Sequence, residues 1–380
     1  MQNENLSELL RERVRKAIAE GSPLLILGGG SKSFYGRTAV GEVLDMAGHS
    51  GIIAYEPTEL VLTARTGTAL STIESVLDGQ GQMLAFEPPH FGLATLGGTV
   101  ACGLSGPRRA YAGSVRDSVL GVKLINGKGE ILSFGGQVMK NVAGFDLSRL
   151  MVGALGTLGV LLEVSLKLVP KPEVEETRCF DMGADAALTA MSLWSGQAWP
   201  LSAACHDGER VYIRLSGAES AIRASAKQLG GERLPDGCAF WAGLREQNLP
   251  FFRQMDNSQA SLLDANLAVP SLPREAGAAA IAESLWRISL PPAAPMLSLQ
   301  GACFIDWGGA LRWLKTDADA AAVFALAQQT GGHASLFRSI DRSGLVFQAL
   351  PDPLKALHMR LKQAFDPLGI FNPGRLYQEW

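Results

Sequence analysis

Phe86–Glu87–Pro88–Pro89–His90–Phe91–Gly92–Leu93–Ala94–Thr95–Leu96–Gly97–Gly98, continued by Thr99–Val100–Ala101–Cys102–Gly103–Leu104–Ser105–Gly106, is the stretch around which the chain is organised. Two prolines fix an extended backbone, and the small residues after them remove side chains that would keep a bulky anion from the main chain. The run has two readings. Its consecutive N–H groups form a nest for phosphate oxygens, which makes it a diphosphate cradle, or it is a string of tight turns.

Upstream, the apolar strand Pro23–Leu27 empties into Gly28–Gly29–Gly30–Ser31–Lys32–Ser33. Such a turn can aim N–H groups at an anion, with Lys32 adding charge. A G-x-G-x-x-G register starting at Gly28 puts Ser33 in place of the third glycine, and no long crossover helix follows, so the Rossmann fingerprint is not met. Before it, Leu6, Leu9, Leu10, Val14, Ala17 and Ile18 follow helical spacing up to Gly21, which reads as an amphipathic helix and not a secretion signal. After it come the segment Gly51–Pro57, the strand Leu60–Arg65 and the helix of Leu70, Ile73, Val76 and Leu77. Downstream of the central stretch, Val119–Ile125 and Glu130–Ser133 flank Asn126–Gly127–Lys128–Gly129, a hairpin signal. The run Gly153–Val160 leads into a strand, Val160 to Val169, which Pro170–Lys171–Pro172 closes.

A chain of 380 residues exceeds one hydrophobic core and predicts two or more domains. Its 34 basic and 37 acidic residues give a net charge of −3 without any Lys/Arg block, which argues against nucleic acid. The longest apolar stretch, Leu150 to Leu162, is too short to span a bilayer. Cys102, Cys179, Cys205, Cys238 and Cys303 form no C-x-x-C pair, which argues against a disulfide framework, a zinc site or an iron–sulfur cluster on this chain. They read as free thiols in a reducing cytoplasm.

Five motifs in order, GGGS from Gly28, EPPHFGLATLGG from Glu87, YAGSVRDSVLGVKLINGKGEIL from Tyr111, KNVAGFDLSRL from Lys140 and GALGTLGVLLEVSLKLVP from Gly153, carry a resemblance. Together they resemble the FAD-binding domain of the vanillyl-alcohol oxidase/p-cresol methylhydroxylase (PCMH) type, and more narrowly the FAD-binding subunits of bacterial glycolate oxidases. The resemblance covers residues 1 to about 175. It implies an α+β fold: a two-subdomain PCMH-type FAD-binding domain over 1–174, an α/β cap over 175–350, and a C-terminal helix and tail over 351–380 that return to the FAD domain. Strand pairs with a helix across them, first around Asp207–Gly208 and again from Trp286 to Ser339, suggest a ferredoxin-like sheet in the cap or a split β-sheet of other topology.

The resemblance also implies a site. Gly28, Gly29, Gly30, Ser31, Lys32 and Ser33 would hold the FAD diphosphate with Thr95, Leu96, Gly97 and Gly98, beside Pro89 in the central loop. Val100, Ala101, Ser105 and Gly106 would pass by the isoalloxazine and ribityl chain. Asn141, Val142, Ala143, Gly144 and Asp146, with Gly156, Thr157, Gly159 and Val160, would line the adenosine and ribityl side. Asp146 has a second reading as the cap of a turn, and Arg149 as a solvated face. Relatives with covalent flavin carry a histidine where this chain has Gly30, so the expectation is non-covalent FAD. The histidine-rich metal motifs of larger 2-hydroxy-acid dehydrogenases have no counterpart, since only His206, His333 and His358 follow residue 170.

The function implied is that of the FAD-binding subunit in a complex that oxidises glycolate, a small 2-hydroxy acid, to glyoxylate. The partners implied are a larger FAD-dependent catalytic subunit and an iron–sulfur subunit. The implied place is the cytoplasm or, through the complex, the periphery of the inner membrane. A self-sufficient FAD oxidase or dehydrogenase and a non-redox scaffold are the other readings. No residue is assigned to catalysis; Arg287, Trp307, Arg312, His333 and Arg338 are polar or aromatic strand residues that could face a flavin or hold a carboxylate.

Overall fold

The computed structural model describes residues 4–136, 146–253 and 283–380. It divides into two compact units, Met1–Lys171 with Ala349–Trp380, and Pro172–Gln348. The segment Pro270–Ala280, whose Pro, Ala and Gly content predicts a loop, lies outside the described residues, as do Asn141, Val142, Ala143 and Gly144.

In the first unit the helix α1 (Ser7–Glu20) buries Leu10, Val14 and Ala17 and ends at Gly21, whose φ of +63° suits a residue without a Cβ. Strands β1 (Leu24–Leu27) and β2 (Glu42–Asp45) pair in parallel. Then come β3 (Ile52–Glu56), β4 (Val61–Arg65), α2 (Leu70–Asp78), β5 (Gln82–Met83), α3 (Leu96–Cys102), β6 (Val119–Ile125), β7 (Ile131–Gly135), β8 (Val160–Lys167) and β9 (Val169–Pro170). Five of these form an antiparallel sheet in the order β3-β4-β8-β6-β7. Alternation along β6 and β8, with a register shift between Lys123 and Leu124, sends Leu124, Leu161 and Val164 into a core with α2 and α3, and Ile125, Val160 and Leu162 into another with α1, β1, Ile370 and Phe371. The central stretch is not loop throughout. Leu96 to Cys102 is helical, because Thr95 caps it, accepting from Gly98 N at 3.3 Å, and Leu96 and Val100 are buried.

His49 is fully buried between these elements. Its Nδ1 accepts from Leu6 N at 3.0 Å, which puts the ring proton on Nε2, and burial, with Arg65 next, lowers its pKa below 6.5. The folded state therefore binds fewer protons than the unfolded one near pH 6. The stabilisation is complete above the unfolded pKa of 6.5 and is lost as pH falls through the lower folded value. Denaturant unfolding should show stability declining below pH 6.5, with a shallower decline in His49→Gln; parallel pH profiles would remove this assignment.

Among the described residues the second unit carries eight strands: β10 (Val174–Asp181), β11 (Leu201–His206), β12 (Arg210–Gly217), β13 (Glu232–Arg233), β14 (Ser284–Ser289), β15 (Ala302–Asp306), β16 (Leu311–Thr316) and β17 (His333–Arg338). Their order is β13-β10-β12-β11-β15-β16-β14-β17, and every pair is antiparallel. The first four, with helices Ala184–Ser195 and Glu219–Leu229, are β-α-β-β-α-β with spatial order 4-1-3-2, the ferredoxin-like arrangement. The last four repeat that order with the helix Ala320–Gln329 before the final strand. The two halves meet at one register pair, His206 and Ile305. The stretch from Leu297 to Trp307 predicts a strand, but β15 begins only at Ala302, because Gly301 has a φ of +141° and the residues before it pair with no strand.

The last helix, Asp352–Phe365, differs from its sequence pattern. Leu354, Leu357, Leu361 and Phe365 share a face, but Leu354 and Leu357 are exposed and only Lys362 and Phe365 are buried. The helix is held by its final turn.

Candidate functional site

Within the first unit, β1, α3 and the turn before β8 surround a cleft. It is lined by Gly28, Thr95, Gly97, Gly98, Ala101, Gly156 and Gly159, all predicted from sequence, and by Ile26, Met46, Thr66, Leu155, Leu161 and Asn372, which were not. The added residues are four apolar side chains, one threonine just after β4 and one distant asparagine. Ile26 stands in the strand Pro23–Leu27 and Leu155 and Leu161 in the motif from Gly153, while Asn372 belongs to the tail expected to return to this domain; Met46 and Thr66 carried no signal.

Two glycine-rich segments meet here for different reasons. A Cβ on Gly28 would collide with Thr95 Oγ1, and one on Gly29 with the carbonyl oxygen of Leu93. These glycines let the first loop lie directly on the central stretch. Gly30 faces open space at φ +69°, so its lack of a side chain serves the turn. Toward the described residues, the N–H groups of Gly28, Gly29, Gly30 and Ser31 donate to no acceptor. Four adjacent unsatisfied donors are the nest that an anion fills.

The central stretch is otherwise disposed. Leu96 N donates to Thr68 O at 2.9 Å, Gly97 N to Thr66 O at 2.8 Å, and Gly98 N to the Thr95 cap. The opening turn of α3 thus has its donors taken and offers a bare wall. Gly97 permits the approach, since a Cβ there would lie 2.7 Å from Thr66 Cβ. Lys32 is buried; its Nζ donates to His90 O at 3.2 Å and lies 5.8 Å from the Phe91 ring centroid, joining the two segments.

The other predicted positions among the described residues do not line this cleft. Pro89 is buried in the central loop, and Leu96 and Val100 face the core below α3. Ser105 Oγ accepts from Val115 N at 3.1 Å, and Gly106 packs on the Glu87 carbonyl. Ser33 bonds back to Gly30 O, Thr157 Oγ1 donates to Ala154 O at 2.8 Å, and Val160 begins β8 in the α1 core. Asp146 caps the turn at Ser148 and pairs with Arg149 at 2.9 Å. Burial pushes the Cys102 thiol up, against the pull of Lys32 and Arg375, so it stays protonated.

In the second unit the residues considered for a carboxylate have structural engagements. Arg312 is fully buried and donates to Ala294 O at 3.1 Å and to Gly309 O, and burial brings its pKa down to about 10. The Arg287 guanidinium lies 5.0 Å from the Trp307 ring centroid, and Arg338 Nε donates to Gln247 Oε1 at 3.3 Å. Burial and Arg287 lower the pKa of His333.

A small-residue cleft beside a nest of free amides, on a PCMH-type frame, defines a protein that binds flavin adenine dinucleotide. The "FAD binding domain" family matches residues 7–135. Over 374 residues the chain is 47% identical to glycolate oxidase subunit GlcE of Escherichia coli K12, covering 98% of each chain. The chain belongs to this GlcE family of FAD-binding proteins. It is also 34% identical over 126 residues to glycolate oxidase subunit GlcD of Bacillus subtilis, 33% of this chain and 27% of that one. A solved structure of alkyldihydroxyacetonephosphate synthase shares the fold at a TM-score of 0.63 and 16% identity, over 96% of this chain and 74% of that one. No described helix is long and apolar enough to cross a membrane.

Proposed function

We propose that this chain is the flavin-bearing subunit of a glycolate-oxidising complex, holding FAD non-covalently in the cleft. The unsatisfied nest from Gly28 to Ser31, opening beside a cleft lined by glycines, carries the cofactor reading. The diphosphate has two negative charges, which these main-chain donors satisfy without a salt bridge. The α3 wall of Gly97, Gly98 and Ala101 and the opposite wall of Gly156 and Gly159 exclude water and orient the nucleotide. When bound, FAD supplies a two-electron acceptor for oxidation of a carbon that bears a hydroxyl.

The non-covalent reading rests on Gly30, which has no nucleophile to link to the ring. The partner reading rests on the names of the relatives: GlcE and GlcD are each one subunit of a glycolate oxidase, and a GlcD shares the FAD-domain sequence. A second, larger flavin subunit would meet the substrate, and an iron–sulfur subunit would take the electrons on. The complex would work in the cytoplasm or at the inner-membrane surface.

The test is the visible spectrum of the chain expressed alone, with glycolate added, followed by acid release of the flavin. Releasable FAD that glycolate does not bleach is expected. Bleaching would make the chain a self-sufficient dehydrogenase, flavin retained through acid would overturn the non-covalent assignment, and failure to take up flavin would leave a scaffold.

A further inference from the structure

The segment after the last helix is stitched to the cofactor cleft at several points that the binding reading does not use. Its main chain first runs along the open edge of β1: Leu24 N donates to Ile370 O at 2.7 Å, and Asn372 N to Leu24 O at 2.9 Å. Pro373 cannot continue that pairing, having no N–H. The Asn372 side chain supplies the next rung. Its Oδ1 accepts from Ile26 N at 2.8 Å, while its Nδ2 donates to Leu155 O at 2.7 Å across the cleft.

One buried amide thus ties the strand that leads into the Gly28–Ser31 nest to the wall that begins at Leu155. The contact is close, since a Cβ on Gly156 would lie 2.6 Å from Asn372 Nδ2. Asn372 has a φ of +43°, a region that asparagine tolerates better than most residues. Three residues on, Arg375 donates to Ser33 O at 3.0 Å and to Tyr35 O at 2.7 Å, holding the far end of the same loop. The site asks for a donor and an acceptor in one short planar group, which a carboxamide provides. Aspartate would keep the bond from Ile26 N and set a carboxylate oxygen against the Leu155 carbonyl.

We propose that Asn372 is a positioning residue for the flavin nucleotide, setting the separation between the amide nest and the Leu155–Gly159 wall. The C-terminal segment is then a clasp on the cleft. This rests on the reading of the cleft as the FAD site.

The experiment takes the full chain as wild type and as Asn372→Asp, strips the flavin, and titrates each with FAD by fluorescence. Visible circular dichroism of the reloaded proteins and melting of the flavin-free proteins complete the comparison. Asn372→Asp should bind FAD about tenfold more weakly or worse, because a buried hydrogen bond becomes two facing acceptors. At saturating FAD its flavin bands should differ from wild type; the flavin-free protein should melt lower as well, since the two acceptors face each other whether or not flavin is bound. If Asn372→Asp yields no folded protein, Asn372→Ser, which keeps a small donor and acceptor, should move both readouts in the same direction. Wild-type affinity in the folded variant, or weaker affinity with unchanged flavin bands, overturns the positioning role. A wild-type chain that takes up no FAD overturns the cofactor reading and this inference together, whereas a wild type that binds beside a variant that binds alike overturns this inference alone.

Discussion

Gly29→Ala should nearly abolish FAD binding while Gly30→Ala weakens it modestly. The new methyl group at position 29 would occupy the space of the Leu93 carbonyl oxygen, and that neighbour is main chain, which cannot rotate aside. The first loop must therefore lift off the central stretch, carrying the N–H groups of Gly28 to Ser31 with it. Forcing a methyl group into a packed site costs about 1–3 kcal/mol, and displacement of the nest comes in addition. We expect FAD affinity to fall on the order of 100-fold, equivalent to about 2.7 kcal/mol. At Gly30 the nearest atom to an added Cβ is Ser33 Oγ at 3.8 Å, so the cost there is the left-handed φ of +69° alone, about 1–2 kcal/mol. Fluorescence titration of flavin-free protein separates the two. Equal effects would mean that contact between the loops does not shape the nest.

Lys362→Met should be the most destabilising single change in the last helix. Lys362 Nζ, with the residue 6% exposed, donates to Asp366 Oδ2 at 2.6 Å, to Thr157 O at 2.7 Å and to Phe371 O at 3.3 Å. Asp366 is 1% exposed and also accepts from Ile370 N at 3.1 Å and Phe371 N at 2.9 Å. Methionine fills similar volume but leaves a buried carboxylate without its cation, a change that costs about 3–5 kcal/mol. Removing the charge as well, in Lys362→Met/Asp366→Asn, should recover part of that loss, because the two residues act as one unit. Urea unfolding of the four proteins in this cycle checks it. A single-variant loss under about 1 kcal/mol would mean that the pair is solvated in solution. The C-terminal clasp should loosen with this change too, since Phe371 and Asn372 follow directly on the ion pair.

Much of the fold was legible because its signals are local. The Asn126–Gly129 turn between apolar runs gave the β6–β7 hairpin, and the spacing of Leu70, Ile73 and Leu77 gave α2. Strand pairs around Asp207–Gly208 and again beyond Trp286 pointed to a ferredoxin-like sheet or a split sheet of other topology, and only the strand order showed the motif twice in one sheet. Less legible was the face of the last helix. Apolar spacing marked Leu354 and Leu357 for burial, yet position 362 is what the fold buries, because a lysine there finds a carboxylate and two carbonyls. A pattern of hydrophobicity carries no information about such partners.

By itself, the sequence carried the five motifs in order, whose resemblance implied the class of protein, and the segments that supply the glycines, because motifs and glycines are matters of residue type and spacing along the chain. Which donors are free was a matter for the tertiary structure. Leu96 and Gly97 spend their amides on Thr68 and Thr66, leaving Gly28 to Ser31 as the nest. Tertiary structure also brought Asn372 to Ile26 and Leu155, hundreds of residues away along the chain. Hydrogen-bond partners across such separations are chosen when the whole chain packs, and no local pattern records the choice.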